Sequence, residues 1–219
     1  MSRLLTEEQK RRLQKVVEDA EKKTSGEIVV YVVKQSDFYE EAFWKLAFLG
    51  NLVGLTLVFF LYEFKLIQEW IWGMEPSFLW YFSILVAFSF LGIALGYIPF
   101  FRRFFVGKER LDEVVQTKAK EAFLEREVFN TRHRTGILIY VSILEHRVVV
   151  LGDSGINQRV KPEDWKRVVQ LIIDGIKKND LASGIEKAIE ECGNLLKNSG
   201  LAILPDDKNE LPNEITEKS

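Results

Sequence analysis

Apolar and polar positions alternate along most of the chain, and two stretches break the pattern. Residues 46–62 (LAFLGNLVGLTLVFFLY) carry no charge, and Phe43 and Trp44 extend the run at its start. Residues 76–101 (PSFLWYFSILVAFSFLGIALGYIPFF) are longer and equally uncharged. A hydrocarbon layer of about 30 Å takes roughly 20 helical residues to cross, and only a helix satisfies its own backbone there. The pattern predicts two transmembrane helices, at about 43–62 and 78–101. Trp70, Trp72, Trp80 and Tyr81 around the loop between them, with Trp44 and Tyr97 near the other ends, are placed as interfacial anchors.

Outside these spans the periods are those of an α/β domain. Thr6 followed by Glu7, Glu8 and Gln9 is an N-cap signature, and Leu13, Val16, Val17 and Ala20 follow at helical spacing. Residues 27–33 (EIVVYVV) read as a strand buried on both faces. After the spans, Leu111, Val114, Val115, Ala119, Ala122 and Phe123 mark an amphipathic helix running toward Phe129. The apolar runs 137–144 and 148–151, parted by Glu145 and His146, predict a hairpin. A helix opening at Pro162 and carrying Trp165, Val168, Ile172 and Ile176 comes next, then one carrying Ile185, Ile189, Cys192 and Leu196. A right-handed crossover from the first strand through the helix at 109–129 makes the first two strands parallel, with the third antiparallel beside them. The expected fold is a Rossmann-like α/β layered domain, a small mixed sheet flanked by helices and interrupted by a two-helix transmembrane hairpin. Residues 1–42 and 102–204 supply the two parts of that domain, 43–101 the hairpin, and 205–219 a surface tail.

Charge orients the hairpin. The loop at 63–77 sets Lys65 against Glu63, Glu69 and Glu75, whereas the exit from the second span carries Arg102, Arg103, Lys108 and Arg110. Cytoplasmic flanks are the ones enriched in Lys and Arg, so both termini are expected in the cytosol, on the inner (cytoplasmic) membrane. Each span holds a G-x-x-x-G spacing, Gly50/Gly54 and Gly92/Gly96, which lets helix backbones approach closely. Neither uncharged stretch, 46–62 or 76–101, contains an Asp, Glu, Lys, Arg or His, the usual mark of an ion or proton path, so a self-contained transporter is disfavoured. Lys+Arg at 30 against Asp+Glu at 32 leaves a formal charge of −2, which argues against a nucleic-acid partner. The single cysteine, Cys192, forms no internal disulfide, and the N-terminus has no cleavable apolar leader pattern.

Chemistry-bearing motifs are sparse. Asp153, in Gly152-Asp153-Ser154-Gly155, follows the third strand, where it can contact a cation or a phosphoester or simply cap a turn. Residues 131–135 (TRHRT) place cations just before the second strand, for an anionic ligand or for solvent. Asp206 and Asp207, with Asn209 and Glu210, supply oxygen ligands without EF-hand spacing. No motif fixes a cofactor; Asp153, Asp206 and Asp207 nominate a divalent cation such as Ca2+ or Mg2+. His133 and His146 form no zinc pattern, and a nucleophile elbow, paired glycosidase carboxylates and a P-loop are missing.

The runs TSGEIVVYVV, TRHRTGILIYVSILEHRVVVLGDSGI, VKPEDW and DDKNELP resemble the TPM domain family, most specifically over residues 116–215. The resemblance implies a Rossmann-like domain and a range of roles: photosystem repair, an accessory subunit of a receptor channel, a phosphatase activity, and cation binding. By motif position only Asp153 inherits a ligand contact. The best-known members carry the domain outside the cytosol, behind a signal peptide and a C-terminal anchor; here the anchor is internal. The expectation is therefore a membrane-anchored accessory or binding module at the cytosolic face, in assembly or quality control of membrane complexes, with the lipid bilayer and membrane proteins as partners. The alternative is a divalent-metal-dependent phosphatase.

Overall fold

The computed structural model describes residues 4–63, 78–201 and 209–218. The chain divides into two compact units, one of Met1–Ser36 with Asp112–Ser219 and one of Asp37–Leu111.

The first unit opens with α1 (Glu7–Glu21), where the Thr6 hydroxyl accepts from Gln9 N at 3.1 Å and the Gln9 side chain accepts from Thr6 N at 2.8 Å. This reciprocal capping box satisfies two backbone donors that the first turn leaves unpaired. The sheet comprises β1 (Glu27–Val33), β2 (Gly136–Ser142), β3 (Arg147–Gly152) and β4 (Thr216–Lys218), in the order β3-β2-β1-β4. β1 pairs parallel with β2 and with β4, and β2 pairs antiparallel with β3, a mixed sheet flanked by helices as the element order predicts. Because side chains alternate along a strand, the six buried apolar residues of β1 feed two cores. Ile28, Val30 and Val32, with Ile137, Ile139 and Val141 of β2, pack with residues of α1, of α7 (Lys166–Lys177) and of α8 (Leu181–Asn198). Val29, Tyr31 and Val33, with Leu138 and Tyr140, pack with Val115, Ala119 and Ala122 of α5 (Lys108–Glu125).

Two expectations about this unit are corrected. Residues 211–218 are not a surface tail: Leu211 and Ile215 are buried, one in each core, and Thr216–Lys218 form β4 against Tyr31–Val33. The helix expected from Pro162 begins at Lys166, because Asp164 accepts from Lys161 N at 2.9 Å and closes a turn first. A one-turn helix, α6 (Ser154–Asn157), stands in the loop after β3.

The second unit holds α2 (Glu40–Glu63), α3 (Phe78–Gly96) and α4 (Pro99–Val106). The second apolar helix does not run to Phe101. It ends at Gly96, and a separate helix starts with Pro99 at its first position. α2 and α3 run antiparallel with backbones in close approach: a Cβ on Gly50 lies 2.3 Å from the Phe88 carbonyl oxygen, and one on Gly92 lies 2.3 Å from that of Leu46. Gly54 and Gly96 face the side chains of Phe88 and Phe43. Both helices are long and apolar enough to cross a membrane. In their most apolar windows 17% and 6% is buried.

Candidate functional site

Two clusters of polar side chains sit at opposite edges of the sheet. Asp153 belongs to the edge where β1 and β2 begin: its N–H donates to the Gly136 carbonyl at 2.9 Å, at the first residue of β2. The carboxylate is buried, and each oxygen meets a neighbouring group. Oδ1 accepts from Ser154 N at 2.6 Å as the N-cap of α6, and Oδ2 lies 2.8 Å from Arg134 Nε. That contact is an ion pair whose N–H is not aligned on Oδ2, which accepts no directed hydrogen bond among the described residues. Arg134 is held in the left-handed region at φ 57°, its Nη1 donates to the Phe129 carbonyl at 3.2 Å, and its carbonyl accepts from Gly155 N at 2.9 Å. A Cβ on Gly155 lies 2.5 Å from the His133 carbonyl oxygen, so glycine is what lets the two loops meet. The expected cationic segment 131–135 is thus fastened to the Asp153 loop. Since β3 runs antiparallel, its end lies at the amino edge of the parallel strands, opposite the carboxyl edge where α/β sheets place ligands.

The carboxyl edge carries a cluster that the sequence motifs do not reveal. Glu145 is fully buried; it accepts from Ser36 N at 2.8 Å and from the Ser142 hydroxyl. Ser36 Oγ lies 2.8 Å from Ser142 Oγ and 3.2 Å from the Tyr140 hydroxyl. Ser142 spends its one hydrogen on Glu145, and this orders the other hydrogens. Ser142 donates to Glu145, Ser36 donates to Ser142, and Tyr140 donates to Ser36. Burial pushes the Tyr140 phenol up to about 12, which keeps it a neutral donor. Tyr140 stacks on Tyr31 with centroids 5.7 Å apart, and together they floor a cavity of about 260 Å³. Ser36, Lys118, Glu125 and Lys218 stand among its walls. Lys118 is paired with Glu121 at 2.6 Å. The members lie up to 109 residues apart and meet through the parallel register of β1 and β2. The polar Ser142 inside the apolar run 137–144 is the signal available in the sequence.

Among the described residues no group of three or more His, Cys, Asp or Glu side chains is placed to hold a metal ion. Asp206 and Asp207 lie outside the described residues, as do Trp70 and Trp72.

A family model for the TPM domain matches residues 105–195, and that stretch of the chain is similar to the family. The chain also resembles the BA42 protein of the psychrophilic bacterium Bizionia argentinensis, known from an NMR structure. The two are 22% identical with a TM-score of 0.59, covering 100% of this chain and 98% of that one, a likeness of fold. No curated protein matches the chain.

Proposed function

We propose that this chain is a membrane-anchored TPM-domain binding module whose α/β domain works at the cytosolic face of the inner membrane, on membrane-protein partners. The observation that carries it is topological. β1 and β2 are adjacent parallel strands of one sheet, yet two exposed apolar helices separate them in sequence. A sheet cannot close across a bilayer, so the hairpin leaves and returns on one side. Arg102, Arg103, Lys108 and Arg110 at its exit favour the cytosolic side. Reporter fusions test this: both termini are expected to report a cytosolic environment and an insertion between residues 63 and 78 the opposite one. Reporters that place the termini on different sides refute it. In mildly solubilised membranes the chain is expected within an assembly larger than itself; a chain that runs only as an isolated monomer counts against a binding role.

A divalent-metal-dependent phosphatase is the competing reading, and the undirected Oδ2 of Asp153 is the observation in its favour. The Arg134 ion pair and the α6 cap weigh against it, since both already employ the carboxylate. Phosphoester hydrolysis by the purified full chain with Mg2+ or Ca2+, abolished by Asp153→Asn, would reverse the preference.

A further inference from the structure

α4 is built inside out for a helix in water. In its sequence PFFRRFFV the buried positions are Arg102 and Val106, while Phe100 is 64% and Phe104 72% exposed. The i, i+4 spacing puts those two rings on one outward stripe. The arginine turns inward: its Nε donates to the carbonyl of Gly96, the last residue of α3, at 3.1 Å, and its guanidinium lies 5.3 Å from the Phe43 ring centroid. Phe43 meets Tyr97 edge to face at 5.1 Å. At the other end of α4, Lys45 Nζ donates to the Phe105 carbonyl at 3.0 Å, a cation at a helix C-terminus. A helix facing water places its guanidinium outward and its phenyl rings inward, because burying a charge is costly and exposing rings gains nothing. An apolar surrounding selects the opposite arrangement.

Length and neighbours fit a position at the bilayer boundary. The 19 residues of α3, at about 1.5 Å each, span about 28 Å, close to the hydrocarbon thickness, so its end at Gly96 falls at that boundary. Exposed Trp44, Tyr97 and Ile98 lie at the same end of the antiparallel pair, and the Phe stripe continues the apolar exterior of α2 and α3.

We propose that α4 is an interfacial helix whose Phe100 and Phe104 side chains enter a phospholipid bilayer just below the headgroups, with Trp44 and Tyr97 completing an aromatic rim. This rests on the reading of α2 and α3 as membrane-spanning. The occupant is phospholipid because the stripe is continuous with the lipid-facing surface.

The test uses the full chain in phosphatidylcholine vesicles, with single cysteines at positions 90, 100, 104 and 108 carrying an environment-sensitive fluorophore; Cys192 is buried and out of the reagent's reach. Labels at 100 and 104 are expected to shift to the blue and to be quenched about twofold more by nitroxide lipids labelled near the headgroup than by lipids labelled near the chain end. The label at 90 is expected to show the reverse, and that at 108 to respond to aqueous iodide. If 90 is quenched by lipid while 100 and 104 respond to iodide, the interfacial helix is wrong and the spanning hairpin stands. If 90 itself escapes lipid quenching, the underlying reading fails. Labels at 100 and 104 shielded from both quenchers would mean a protein cover, which also overturns the proposal. The unsubstituted chain provides a check free of folding artefacts: a photoactivatable lipid is expected to cross-link within residues 97–104, and absence of adducts there beside adducts in α2 and α3 overturns it.

Discussion

At the scale of single residues, Asp153 and Glu21 show how burial assigns opposite roles to two carboxylates. Asp153 caps α6 and pairs with Arg134, so Asp153→Ala removes a cap and leaves a guanidinium without its counter-charge. Thermal or chemical unfolding of the full chain in detergent is expected to show a loss of about 1–3 kcal/mol, with Asp153→Asn, which keeps the capping oxygen, costing less than about 1. Equal losses in the two variants would refute the capping role. Glu21 accepts from Ile28 N at 2.8 Å, yet desolvation, reinforced by the nearby Glu27, raises its pKa from 4.5 to about 8. A carboxyl group with a folded pKa above its unfolded one binds its proton more tightly when folded. Its contribution is complete below about pH 4.5 and is lost as pH rises through about 8. Stability of the full chain is therefore expected to fall across that window, and Glu21→Gln, which cannot ionise, to flatten the fall. A wild-type slope indistinguishable from that of the variant would rule out this assignment.

At the scale of elements, close backbone approach governs the hairpin. A Cβ on Gly50 or Gly92 would lie 2.3 Å from a carbonyl oxygen of the opposite helix, whereas a Cβ on Gly54 would meet Phe88 Cβ at 3.1 Å and Leu85 Cδ2 at 3.5 Å, a contact relieved by a shift of a few tenths of an ångström. Gly92→Leu is expected to part α2 and α3 by about 2 Å, toward ordinary helix spacing, and Gly54→Ala to leave the spacing unchanged. Dipolar distances between spin labels at the outward-facing positions 52 and 90 measure this, and an unaltered distance in Gly92→Leu would contradict it. The periods that define α1, β1, β2, α5 and α8 are local, which is why they were legible in the sequence. β4 was not, because Leu211 and Ile215 stand isolated among polar residues and a three-residue strand exists only through its neighbour β1. The break between α3 and α4 is invisible to hydropathy, which stays high through Phe101, but Pro99 carries the signal. A proline bars the helical conformation at the residue before it, and Ile98 accordingly sits at φ −80°, ψ 120°. Of the polar clusters, the Asp153 turn was legible as a Gly-Asp-Ser-Gly run. The Ser36, Tyr140, Ser142 and Glu145 cluster was not, since strand register assembles it.

For the whole molecule, the α/β domain tolerates a 75-residue interruption because both of its hydrophobic cores close without the inserted unit, Asp37–Leu111. Every residue of the two cores comes from the flanking segments. The points of departure and return are also brought together by side chains of one strand edge. Ser36 hydrogen-bonds Ser142, the last residue of β2, and Asp112 pairs with Arg147, which stands opposite Ser142 in the register of β2 and β3. Replacing residues 37–111 with a short Gly/Ser linker therefore closes a small gap, and loop closure of that length costs only a few kcal/mol. The shortened chain is expected to stay in solution without detergent and to keep the parallel pairing of β1 with β2. Amide NMR checks this through well-dispersed resonances and cross-strand contacts between the Tyr31 and Tyr140 regions. A collapsed spectrum would mean that the inserted unit is needed to fold the domain. A dispersed spectrum would make the hairpin detachable and the α/β domain an independently folding body.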